Sequence, residues 1–154
     1  MYEQDVIQLV RDNPAFLGTV DENRPRVRPM KPYIDEKGQI WLVTAAHSKK
    51  IAEITANPRA ELCTLGQNEF VQIYGELRQD HSVTPAFIGR IFDAIPEMKE
   101  YFTGTSDPEI AVYSLAIHQI SYARGRKVYT TGFDIKTEVD VEALLCAGGF
   151  CLVD

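Results

Sequence analysis

The sequence predicts a mainly β fold with helices (α+β), built on one antiparallel sheet of six to seven strands closed as a small barrel. Three observations carry this. Strand-like runs follow one another through tight turns, which suits antiparallel pairing. Helical stretches are too few to cross over between most strand pairs, as a parallel sheet would require. Neither G-x-G-x-x-G nor G-x-x-x-x-G-K-[ST] occurs, so the glycine loops of parallel nucleotide-binding sheets are missing.

Residues 2–12 place Val6, Ile7, Leu9 and Val10 on an apolar stripe at helical spacing, and Asn13-Pro14 ends that helix. Residues 15–21 form a first strand that stops at the turn residues Asp21-Glu22-Asn23. Residues 25–35 hold Pro25, Pro29 and Pro32, each without an amide donor, so they extend only as an irregular or edge strand. After a turn at Glu36-Lys37-Gly38, residues 39–44 (QIWLVT) are β-branched and aromatic and give a third strand. Ser48 is a good N-cap for a short helix that ends at Asn57-Pro58. Residues 59–65 and 69–79 form two strands around Gly66-Gln67-Asn68. In the second, Val71, Ile73 and Leu77 alternate with Gln72, Tyr74 and Glu76, one face core and one polar. Residues 82–102 carry Phe87, Ile88, Ile91, Phe92 and Ile95 at helical spacing, broken at Pro96, and predict a helix followed by a second turn or helix. A loop over 103–108 leads to two more strands, 111–124 and 126–133, around Gly125. From Asp134 the pattern is mixed, and residues 144–153 are apolar without a clear period.

At 154 residues the chain matches the roughly 100 to 200 residues usual for one domain. With 45% hydrophobic and 25% charged residues it is expected to fold as an ordinary globular domain without disulfides or metal. No basic region followed by an apolar core opens the chain, and no apolar run approaches the ~20 residues of a membrane span. Cys63, Cys146 and Cys151 are odd in number, so a cytoplasmic location is expected.

A net charge of −6 argues against generic nucleic-acid binding, which relies on a cationic surface. The charge is unevenly distributed. Between Arg24 and Arg59 stand eight cations against three acids, leaving that stretch at +5 and the remainder at −11. A local surplus inside an acidic chain suits a small anion better than a long polyanion. In TAAHSKKIAEI, the loop over 44–48 runs straight into a helix, bringing backbone N–H groups, a hydroxyl and the Lys49 and Lys50 ammonium groups to one point. Two cations oppose the helix dipole there, which makes sense if an anion lies between them; surface charge alone is the alternative. The preceding RPRVRPMKPY adds Arg26 and Arg28 on one side of a strand, and Lys31 at the other parity, which needs a bend at Pro29 to reach the same site.

Together these residues carry a resemblance. Arg26-x-x-x-x-Lys31, the turn Asp35-Glu36-Lys37-Gly38, Thr44-x-x-x-Ser48-Lys49-Lys50 and Asn57-Pro58-Arg59, followed by the strand with Gly75, resemble the core of the pyridoxamine 5'-phosphate oxidase-like split barrels. That group includes nitroimidazole-resistance-type reductases and general-stress flavoproteins. The resemblance implies a split-barrel FMN-binding domain over residues 1–134, with 135–154 as a C-terminal tail packed on it. It implies a homodimer with FMN at the interface. Arg26, Val27, Arg28 and Lys31 would line the flavin, Val43 and Thr44 would touch the ring or ribityl region, and Ser48, Lys49 and Lys50 would hold the phosphate. Gln72 would add a polar contact.

The chain also departs from the family. A true oxidase of the vitamer ends in an Arg- and His-containing segment that is absent after Phe133, so that substrate is not expected. Cys146 and Cys151, spaced C-x-x-x-x-C, cannot alone supply a cluster or a closed zinc site. His47 lies in the phosphate loop, His81 before a helix, His118 in a strand, and Trp41 suits either a core or a dimer interface. The function expected is an FMN-dependent oxidoreductase acting on a small organic substrate. A non-catalytic flavin binder or sensor, and a split barrel taking another anionic ligand such as haem, are the alternatives.

Overall fold

The computed structural model describes residues 3–132 and 135–140. Its elements run α1 (Glu3–Asp12), β1 (Ala15–Asp21), β2 (Arg24–Met30), β3 (Tyr33–Ile34), β4 (Ile40–Ala45), α2 (Lys49–Ala56), β5 (Arg59–Gly66), β6 (Glu69–Gln79), α3 (Pro85–Ala94), α4 (Met98–Tyr101), β7 (Ile110–Arg124), β8 (Lys127–Gly132) and β9 (Ile135–Asp140).

All strands join one antiparallel sheet in the order β2-β1-β5-β6-β7-β4-β3, with β8 on the far half of β7 and β9 on β8. The two ends of the path, β2 and β3, are consecutive in sequence and joined only by Lys31-Pro32. A two-residue link cannot span an open sheet, so the sheet must curl until its ends meet. No hydrogen-bonded ladder closes that seam, which makes the barrel split. The strand count exceeds the six or seven expected for two reasons. The stretch 25–35 divides at Lys31-Pro32 into β2 and β3, and residues 135–140, expected as tail, add β9 to the sheet. Residues 141–154, with Cys146 and Cys151, lie outside the described residues.

The prolines of β2 fit its place in the sheet. Asp21 pairs with Arg24 across a two-residue turn, so residues 24, 26, 28 and 30 exchange hydrogen bonds with β1 while Pro25 and Pro29 turn toward the free edge. An edge position tolerates the missing donor, and the strand runs regularly through Pro29 to Met30.

Two cores form. Inside the barrel, Leu17, Leu42, Leu62, Ile73, Leu115 and Tyr122 pack with Leu9 and Val10 of α1. Outside it, Ile88, Ile91 and Phe92 of α3 cover Val43 and Val112, with Trp41 and Phe87 edge to face at 4.9 Å. Trp41 therefore packs within the chain, its indole donating to Asp35 Oδ2 at 3.0 Å. The helix expected from residue 82 starts at Pro85, because Thr84 caps it by accepting the Phe87 N–H at 3.2 Å.

Candidate functional site: an anion trap between β2, β4 and α2

The turn from β4 into α2 sets the site. Ser48 donates its N–H to Ala45 O at 2.9 Å, and Ala46 donates to Glu109 O at 2.8 Å. Ser48 stands at the N-cap, yet its hydroxyl makes no capping hydrogen bond. It accepts instead from Lys50 Nζ at 3.0 Å, while Thr44 Oγ1 accepts from the same ammonium at 2.7 Å. Thr44 is 6% exposed and Lys50 half-buried. No acidic residue occupies the first turn of α2. The helix thus keeps unpaired N–H donors and two lysines at its positive end.

The facing wall comes from β1 and β2. Arg26 pairs in register with Thr19, which is 3% exposed. Arg28 donates to Thr19 Oγ1 at 3.0 Å and forms an ion pair with Glu53 Oε2, to which Thr19 Oγ1 also donates at 2.7 Å. Glu53 lies one turn along α2 from Lys50, its side chain 9% exposed.

The charges respond to one another. Burial pushes the Glu53 carboxyl up, but hydrogen bonds from Thr19 and Arg28, with the charges of Arg28 and Arg26, outweigh it and hold the group below its ordinary 4.5. Burial first, then the Arg28 charge, pushes the Lys50 ammonium below its ordinary 10.5, while Glu53 pulls the other way. Arg26, Arg28, Lys50 and Glu53 therefore share one electrostatic neighbourhood. Ammonium, guanidinium, hydroxyl and helix N–H donors converging in this way suit a compact oxyanion such as a phosphate monoester.

The other predicted residues are placed differently. The bend at Pro29 needed for Lys31 is absent, and Lys31 stands exposed in the link to β3. Lys49 is exposed. Val27, 71% exposed, faces away from Arg26 and Arg28. Val43 lies across β4 from Thr44, under α3. Gln72 is exposed on the outer face of β6, between Cys63 and Ser121. Within one chain these three offer the cluster no side chain. Thr19 and Glu53 are site residues that the sequence reading passed over. Their signals were the inward parity of Thr19 in β1 and the three-residue spacing of Glu53 from Lys50 on a helix.

His47 contacts Glu109 Oε2 through Nδ1 at 2.6 Å on the exposed side of the same loop. His81 is exposed, and His118 meets Tyr74 edge to face at 5.8 Å. Burial raises the Cys63 thiol, as does Glu61. Among the described residues no group of three or more His, Cys, Asp or Glu side chains could hold a metal ion, and no helix is long and apolar enough to cross a membrane.

The antiparallel sheet that curls without sealing places the chain in the split-barrel class of β domains. A family model described as "Pyridoxamine 5'-phosphate oxidase like" matches residues 2–139, and the chain belongs to that family. Solved structures agree in fold. A NimC/NimA family protein from Clostridium acetobutylicum is similar with a TM-score of 0.72 at 16% identity, over 85% of this chain and 94% of that one. General Stress Protein 26 from Bacillus anthracis gives 0.72 at 16% identity, over 86% and 100%. A heme binding protein from Mycobacterium smegmatis gives 0.66 at 14% identity, over 95% of this chain and 60% of that one. No curated protein matches the sequence.

Proposed function

We propose that this chain is a cytoplasmic FMN-binding flavoprotein, an FMN-dependent oxidoreductase acting on a small organic substrate, and that it works as a homodimer with FMN at the subunit interface. The observation that carries the reading is Lys50, half-buried, in no ion pair among the described residues, and hydrogen-bonded to Thr44 and Ser48 where β4 turns into α2. That end, with Arg26 opposite, offers a phosphate monoester what it needs.

Lys50 would supply charge to the phosphate, with Ser48 and Thr44 fixing the ammonium. Lys49 would add a second, solvent-exposed charge. Arg26, Arg28 and Lys31 would line the remainder on the β2 side, while Val27 and Val43 would act through their backbones. When bound, the flavin would supply the redox chemistry, and the protein would supply orientation and electrostatics. Gln72 lies on the outer sheet face, so it would reach a flavin only across the subunit interface. That face also bears Phe16, 38% exposed, with Val27 and Leu65, apolar groups that a second copy would cover.

The test is a visible spectrum of freshly purified protein, a fluorescence titration with FMN, and a gel-filtration mass. Flavin absorbance or quenching of added FMN, at twice the chain mass, is the expected result. Absence of both overturns the reading. Turnover with NADH or NADPH and a nitroaromatic separates an oxidoreductase from a non-catalytic binder. A second reading, haem held by its propionates in the same cationic site, draws on the heme binding protein among the structural neighbours. A Soret band on haem titration, without FMN binding, would favour it.

A further inference from the structure

The cluster contains a carboxylate that an anion site does not need. Glu53 is half-buried, with its side chain 9% exposed, and it accepts from the Thr19 hydroxyl and pairs with Arg28. Thr19 is itself held in β1 with almost no exposure, so moving the carboxylate away from an incoming anion would break hydrogen bonds to a fixed hydroxyl and to Arg28. Arg28 donates to both Thr19 and Glu53 through the same nitrogen, which folds its guanidinium back against the wall.

We propose that Glu53 is a specificity-determining residue of the anion site, a fixed internal competitor for Arg28 that limits how tightly the site grips a phosphate group. Two physical consequences follow. A unit negative charge within the neighbourhood of Arg26, Arg28 and Lys50 lowers the potential felt by any anion there. Arg28, satisfied by Glu53, gains little by turning to a ligand phosphate, because it must first give up a charge-assisted hydrogen bond that it already makes. The grip then falls mainly to Lys50, Arg26 and the end of α2, and the phosphate stays exchangeable. The proposal rests on the flavin reading for the identity of the ligand, but not for the sign of the effect.

Glu53→Gln tests it, because glutamine keeps an acceptor for Thr19 and Arg28 and removes only the charge. Affinities of wild type and variant are measured by fluorescence for FMN and for riboflavin, which lacks the phosphate, and by calorimetry for inorganic phosphate. Thermal unfolding is followed in parallel. The expected result is FMN affinity raised about tenfold in Glu53→Gln, riboflavin affinity unchanged, and the increment shrinking as salt is added. Equal change for FMN and riboflavin would reduce Glu53 to a structural role. Unchanged FMN binding would mean that the ligand does not feel the Glu53 charge, weaker binding that Glu53 holds Arg28 in place for the ligand, and any of these results overturns the proposal. Should wild type ignore FMN, the flavin reading fails by itself, and the phosphate arm decides Glu53 by the same sign. Binding of neither ligand overturns both. Glu53→Met serves if the glutamine variant does not fold, and failure of both variants to fold overturns the proposal by making the carboxylate a requirement of the fold.

Discussion

Lys50 concentrates the physics of the site in one side chain. Its ammonium gives two hydrogen bonds to the protein and keeps one donor for a ligand. Replacing it with alanine should weaken FMN binding by about 1.5–3 kcal/mol, read from quenching titrations, and equal affinity would remove Lys50 from the site. The same residue predicts a pH limb. A phosphate binds the charged amine, and the free-protein pKa is pushed below 10.5 by burial and Arg28. Affinity should therefore fall as pH rises through that lowered value, earlier than for an ordinary lysine. Lys50→Arg should abolish the fall, since a guanidinium keeps its proton throughout. Glu53 predicts the opposite sign at the acid end. Its pKa is depressed on folding, so its contribution to stability is present above about 4.5 and lost as pH falls through the folded value. The stability difference between wild type and Glu53→Gln in chemical denaturation should vanish over that window. Lys50, Ser48 and Thr44 were legible in the sequence because loop, hydroxyl and ammonium are local neighbours. Glu53 was legible only as one of three acids in a basic stretch, since its partners Thr19 and Arg28 sit 34 and 25 residues away.

At the scale of elements, strand and helix identities followed from period and punctuation, and the differences have local causes. Thr84 and Pro85 start α3 where apolar spacing alone suggested Ser82. The Lys31-Pro32 link cuts one expected strand into β2 and β3, a division that alternation cannot show in so short a segment as Tyr33–Ile34. The register shift between β6 and β7 was invisible in sequence, because a bulge depends on the partner strand. It lies beside Gly75, where any Cβ would collide with the Ala116 carbonyl oxygen. Gly75→Ala should cost about 2 kcal/mol or more, seen as a drop in thermal midpoint. A midpoint within a degree of wild type would show that the two strands can part cheaply there.

At the scale of the whole molecule, one chain buries both of its cores but leaves Phe16, Val27 and Leu65 in solvent. If a second copy covers them, Phe16→Glu combined with Val27→Glu should move the gel-filtration mass from twice 17.4 kDa to once that value. If the proposed interface also holds the flavin, FMN binding should be lost with it. An unchanged mass would place the contact elsewhere. The sequence could announce a split barrel through its motifs, yet not the outer face, whose apolar residues come from β1, β2 and β5 and meet only after folding.

The alternation of arginine and proline in β2 also bears on how the chain meets other proteins. A barrel left unsealed exposes a raw margin to every other chain in a crowded solution. Between Arg24 and Met30, Val27 is the sole outward position still carrying an amide hydrogen. A stray extended peptide would find almost nothing there to zip onto. The same short run of residues thus brings Arg28 to Thr19 and Glu53 on one side and denies foreign strands a template along its rim.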